Sequence, residues 1–297
     1  MNEKTPLIRL AKREDMPKSK VWLIRAAAFL LAIVLGGLVF FIAGTNPITA
    51  YGAILSSSLG KASGIKQVVK IAVPLLGTAL ALAPCFAMRF WNIGGEGQIT
   101  MGAVAASFFA LNYAGSIPSP LLLLLMGIFS ILFGAAWAAI PASFKARWGT
   151  NETLFTLMMN YIAIGIVGWL QGGPWEGKPG SQIIPMFDQA AVLPKVFGVH
   201  CGWIIILLLT AGMYIYMNYT KQGYEIAVLG ESENTARYAG MNVAKVTIRT
   251  ACLSGGICGL IGFMVCSGTN MTLYADVAGG VGFTAIVVAW LAQFNPF

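Results

Sequence analysis

The chain reads as an all-α, polytopic membrane protein with about eight transmembrane helices, and three observations predict this. Of its 297 residues, 57% are hydrophobic and 10% charged, against about 25% charged in an ordinary soluble domain. The mean hydropathy is +0.75, and apolar runs of roughly 20 residues recur, each long enough to cross the hydrocarbon core as a helix. The shorter alternating segments of a membrane β-barrel are absent.

Taken in order, residues 1–20 form a charged N-terminal tail and residues 21–297 the membrane domain. Trp22–Ala43 is the first span; its length and the long tail before it argue against a cleaved signal peptide. Asn46–Gly64 is polar and lies outside, and Lys66–Met88 returns as a second span, broken by Pro74 and Pro84. Gln98–Ala114 and Leu121–Ile140 are spans three and four, joined outside by GSIPSP. Thr150 or Asn151 caps span five, with Glu152 favourable in its first turn. Residues 171–200 form a long external loop rich in Gly and Pro, and loops of that length are often functional. Cys201–Met217 is span six, residues 218–249 a polar internal loop, Thr250–Ser267 span seven and residues 281–297 span eight.

The net charge of +8 would suit nucleic acid, but its distribution suits membrane orientation. Seven of the 19 basic residues precede or open the first span, and on this topology 14 lie inside and five (Lys61, Lys66, Lys70, Lys178, Lys195) outside. The N-terminus is therefore expected in the cytoplasm, and no nucleic-acid partner is expected. The five cysteines lie in or beside apolar runs with no CxxC spacing, as packing residues do. The single His200 opens an apolar run, as a membrane-interface residue does. With one His and scattered acids, the chain lacks the clustered groups of a membrane-embedded enzyme.

Three stretches carry more information. The first is GYEIAVLGESENTARYAG, residues 223–240, in which Gly223 and Gly230 punctuate and Ser232 can cap a short helix. By pattern alone it is either a solvated loop joining two spans or a helix presented to a soluble partner. The second is FWNIGGEGQITMGA, where glycines surround Glu96 directly before an apolar run. It reads as a tight turn at the headgroups or as a broken helix, since an acid near lipid must face protein or water. The third is TNETLFTLMMNYI, which places Asn160 in mid-span, where an amide either bonds between helices or lines a polar path.

These stretches, with GGVGFTAIVVAWLAQFNP at the end, resemble in the same order the motifs of permease subunits of ABC importers. The group is the one serving branched-chain amino acids, simple sugars and nucleosides, and the resemblance runs from about Trp22 onward. Ala227, Trp91 and Gln293 depart from the usual pattern. The resemblance implies that Gly223, Tyr224, Glu225, Gly230, Glu231, Asn234, Ala236, Arg237, Tyr238 and Gly240 form a loop that docks on a partner ATPase. It also implies that Asn92, Glu96, Gln98 and Asn160 lie near the translocation pathway. The implied assembly has an ABC ATPase subunit, a second permease (identical or homologous), an extracytoplasmic substrate-binding lipoprotein and membrane lipid, in a bacterial plasma membrane. No GxxxxGK[ST] phosphate loop occurs, so ATP and Mg are expected in the partner and no cofactor in this chain.

The third stretch and the external loop look most like nucleoside-type (guanosine-like) permeases, with simple sugars second. A different class, the ion-coupled carrier, would need an intramembrane ionisable group, and Glu96 is the candidate. The Gly-rich joints GGEG and AGGVG lie five spans apart, as an inverted repeat would leave them. Such a repeat needs ten helices, as in full-length relatives, so the chain reads as C-terminally truncated.

Overall fold

A computed structural model describes residues 17–296; most of the expected N-terminal tail lies outside these residues. The described chain is helical almost throughout, and its two units are taken separately. The first holds α1 (Lys18–Ile42) and α2 (Pro47–Ser58). Asn46 starts α2, its side chain accepting from the Ile48 amide at 2.9 Å, with Pro47 at the first helical position. A polar stretch expected only as external chain therefore includes a 12-residue helix. Tyr51 ties it to α1 by donating to the Ile33 carbonyl at 2.7 Å.

The second unit contains the remaining long helices: α3 (Ala62–Ala87), α4 (Gly95–Tyr113), α5 (Ser119–Trp148), α6 (Glu152–Gln171), α7 (Gly202–Tyr219) and α10 (Val243–Val265). Between α7 and α10 lie α8 (Lys221–Glu231) and α9 (Glu233–Tyr238), and α11 (Val281–Leu291) follows. Among the described residues, six helices are long and apolar enough to cross a membrane: α1, α3, α5, α6, α7 and α10 with its extension to Asn270. α4 is buried on nearly every side, so its Gly, Ala, Ser and Thr residues face protein rather than lipid. Where the eighth span is expected, α11 is an apolar helix of 11 residues, a rise of about 16 Å. It stops where Gln293 and Phe294 take positive φ values of 53° and 59°, just before Pro296. The expected break of span two at its prolines is corrected, because α3 runs through Pro74 and Pro84 without interruption.

The core is the bundle α4–α5–α10. Lipid tails are as apolar as Leu, so close backbone packing and interhelical hydrogen bonds must hold such helices together. Ser130 on α5 donates to the Gly102 carbonyl on α4 at 2.8 Å. Glycines 102, 134, 255 and 259 bring all three backbones into direct contact. The five cysteines are free.

Candidate functional site

α3 ends at Ala87, and the chain does not resume helical form until Gly95. Of the four residues expected near a pathway, Asn92 lies in this break, Gln98 and Asn160 bond to residues in it, and Glu96 follows it in the first turn of α4. The side-chain amides of Asn92 and Gln98 pair reciprocally, Asn92 Nδ2 to Gln98 Oε1 at 3.3 Å and Gln98 Nε2 to Asn92 Oδ1 at 3.0 Å. Asn92 also donates to Ser254 Oγ on α10 at 3.2 Å and accepts from the Gly94 amide at 3.0 Å. From α6, Asn160 accepts from Gly97 N at 2.8 Å and donates to the Ile93 carbonyl at 2.9 Å. Thr156 Oγ1, one turn earlier on α6, accepts from Ile93 N at 3.2 Å. Side chains of neighbouring helices thereby satisfy backbone groups of the segment between α3 and α4, where no helical partner is available.

Glu96 faces the other way. Its Oε1 accepts from Gly280 N at 2.8 Å and its Oε2 from Gly282 N at 2.7 Å, so both carboxylate oxygens cap the N-terminus of α11. A carboxylate there meets unsatisfied amides and the positive end of the helix dipole. Trp91 stacks on Trp290 of α11 with centroids 5.4 Å apart. The residue that departs from the usual motif thus also packs on α11.

The polar loop is a pair of short helices. Thr220 caps α8, accepting from Gly223 N at 3.1 Å; Ser232 caps α9, accepting from Thr235 N at 3.2 Å; and Asn242 caps α10. The ten loop residues fall into two sets. Gly223, Gly230 and Ala236 are buried and Glu225 half-buried, whereas Tyr224, Glu231, Asn234, Arg237, Tyr238 and Gly240 are exposed. Gly230 lies directly on the Ala87 carbonyl at the end of α3, where a side chain would collide with backbone. Ile226 and Leu229 pack with Cys85, Met88 and Phe90. Beside the pair opens a cavity of about 790 Å³ lined by Arg89, Lys145, Glu152, Arg237 and Asn242 among others. Lys145 and Glu152 form an ion pair across it at 2.9 Å.

Two contributors carry no signal in the sequence: Arg249 reads only as a positive charge, yet it pairs with Glu225 at 2.9 Å, and Ser254 has its partner 162 residues away. Gly282 belongs to the AGGVG joint, but the sequence does not show that it bonds Glu96, 186 residues away.

At the other end, residues 171–200 are bound to the bundle. The extension of α10 over Cys266–Asn270 is a π-helical turn. The loop is strapped to it and the residues just beyond: Leu193 N donates to Ser267 O at 3.1 Å, Phe187 N to Met271 O at 2.7 Å and Thr272 Oγ1 to Ile184 O at 3.0 Å. A short hairpin, β1 (Lys195–Val196) with β2 (Val199–His200), closes the loop. His200 is 1% exposed, wedged against Gly202 and Gly268, and neither ring nitrogen has a partner among the described residues. Burial, and secondarily the charge of Lys70, hold its pKa below the usual 6.5. The unfolded chain therefore binds the proton more readily, so stability is full above pH ~6.5 and is lost as pH falls through the folded pKa. Melting in detergent at pH 7.5 and 5.5 should show a larger acid-induced drop for the native chain than for His200→Leu. Equal drops would refute it.

A many-helix membrane protein with a buried polar break and an outward-facing pair of short polar helices has the architecture of a transport subunit. The family model described as branched-chain amino acid transport system, permease component, matches residues 64–297, and the chain belongs to that family of ABC permeases. It is 30% identical to a glucose ABC transporter permease of Haloferax volcanii over 96% of this chain and 78% of the relative. It is also 30% identical to a guanosine ABC transporter permease of Bacillus subtilis, over 91% and 79%. A nucleoside ABC transporter permease of Lactococcus lactis is 26% identical over 94% and 80%. No solved structure matches.

Proposed function

We propose that this chain is the membrane subunit of an ATP-driven importer that carries an uncharged polar solute, nucleosides first, by alternating access. The observation that carries this reading is the division of the α8–α9 pair into a face packed on the ends of α3 and α10 and an exposed polar face. Tyr238, 92% exposed, stands on the outward face and suits docking on a soluble partner. On this reading the partner is an ABC ATPase holding ATP and Mg, and the chain itself binds no cofactor and performs no covalent chemistry. A second permease and an extracytoplasmic binding lipoprotein complete the assembly in a bacterial plasma membrane, with the N-terminus in the cytoplasm.

The geometry of Glu96 favours this over an ion-coupled carrier, because both oxygens already accept backbone amides. We read Asn92, Glu96, Gln98 and Asn160 as groups that shape the break beside the path rather than groups that grip the solute. Nucleosides are preferred because two relatives compared above transport a nucleoside or guanosine by name, and a sugar comes second on the glucose relative.

The test is co-purification of the chain with the ATPase encoded beside it, followed by uptake in proteoliposomes with the binding protein. An Arg237→Glu, Tyr238→Ala variant should retain at least about tenfold less ATPase, as loss of an interface anchor does. Failure of any ATPase to bind the native chain overturns the reading. Glucose uptake without guanosine uptake moves the substrate to the sugar branch.

A further inference from the structure

The α8–α9 pair can be pushed against the bundle through its apolar face, but import also requires the helices to follow when the pair moves away or sideways. The packed contacts of Gly230 on Ala87, and of Ile226 and Leu229 beneath, resist compression and slide easily. The directional bond on this side of α8 is that between Glu225 Oε2 and Arg249 Nη2, at 2.9 Å. Its side chains are 16% and 28% exposed, against 57% and 65% for the Glu233–Arg237 pair, which joins residues of one turn. An ion pair screened from water holds its geometry better than an exposed one. The third described pair, Lys145–Glu152, does not touch α8.

Arg249 is placed to pass movement on. It lies in α10, most of whose residues from Thr250 onward are buried in the bundle. Five positions further along that helix, Ser254 accepts from Asn92 in the α3–α4 break at 3.2 Å. The break leads directly into the first turn of α4, where Glu96 caps α11. A short chain of bonds thus runs from the helix pair through one buried helix to the segment between α3 and α4. On the α7 side, the buried Tyr216 hydroxyl lies beside the same two charges.

We propose that Arg249 is a positioning residue of the transport cycle. Its ion pair with Glu225 ties α10 to α8, so that displacement of α8 by the ATPase reaches the break at residues 88–94. This inference rests on the proposed ABC importer reading.

The test compares the native assembly with Arg249→Gln, Arg249→Lys and the charge exchange Glu225→Arg/Arg249→Glu, each reconstituted with the ATPase and binding protein. Three quantities are read: ATPase retained, ATP hydrolysed and solute moved per ATP. Arg249→Gln should retain the ATPase and hydrolyse ATP within about twofold of native, while solute per ATP falls about tenfold, a normal size for coupling between sites. Arg249→Lys keeps the charge without the planar fork and should fall in between. The exchanged pair should recover solute per ATP above the level of Arg249→Gln. Unchanged solute per ATP in Arg249→Gln overturns the tie. If Arg249→Gln does not assemble, a native ratio in Arg249→Lys, or an exchanged pair no better than Arg249→Lys, overturns it equally. If the native chain retains no ATPase, the importer reading fails and the tie with it.

Discussion

Glu96→Ala should destabilise the folded chain by about 3–5 kcal/mol and abolish uptake. The carboxylate is 4% exposed and its two oxygens accept from Gly280 and Gly282 at 2.8 and 2.7 Å. Removing it orphans a buried amide at Gly282 and a half-buried one at Gly280, each worth up to about 1–3 kcal/mol, and removes a charge from the helix N-terminus worth about 0.3–2 kcal/mol. The position cannot easily rearrange, because Gly282 packs against the Glu96 backbone itself. Glu96→Gln separates the contributions: it keeps the shape and one acceptor but turns an NH₂ toward one of the amides, so an intermediate loss is expected. The measurements are melting in detergent and uptake at several sodium concentrations. A capping role predicts lower stability with unchanged sodium dependence. A native melting point with altered sodium dependence would instead make Glu96 an ion site and bring back the secondary carrier.

Glu96 also illustrates which parts of this protein could be read from its sequence. The helical membrane class, the polar loop and its helix starts are local properties. Long apolar runs, a Ser before ENTARY and an Asn before ETLF each act within a few residues, and the structure caps α9 with Ser232 and α6 with Asn151. The glycine cluster around Glu96 leaves a tight turn or a broken helix open, and the structure places a non-helical joint just before it, between α3 and α4. The two Gly-rich joints stand out in the sequence, but that Glu96 of one accepts from Gly280 of the other, 184 residues away, does not. The inward turn of Glu225 was hidden likewise, since its sequence neighbours give no reason for it and Arg249 is 24 residues on. Hydropathy marks α11 as apolar, whereas its helical extent of 11 residues is set by the backbone turn at Gln293 and Phe294. Pro74 suggested a break in α3, but the helix carries on, with Thr78 Oγ1 donating to its carbonyl at 2.8 Å.

Gly259→Leu should prevent the bundle from forming at all, and even Gly259→Ala should cost more than about 3 kcal/mol. Gly259 sits where three backbones meet. A Cβ there would strike the Ser130 carbonyl of α5 and come within 3.1 Å of Gly134 Cα, while Gly102 of α4 already packs against Gly259's own backbone. Backbone cannot swing aside as a side chain can, so α5 would have to move away from α10. That movement strains the Ser130–Gly102 hydrogen bond and opens voids along a tightly packed interface, costs that ordinary large-to-small changes in cores already put at several kcal/mol. Intrinsic propensity works in the opposite direction, since Ala favours a helix over Gly by about 1 kcal/mol. Gly165→Ala is the control: Gly165 lies in α6, where nothing stands within 4 Å of an added Cβ, so it should be neutral or slightly stabilising. Melting and gel filtration of the three variants separate the two effects. If Gly259→Ala behaved like Gly165→Ala, the three helices would have to be packed less closely than described. The common apex for α4, α5 and α10, on which the placement of the polar break depends, would then be lost.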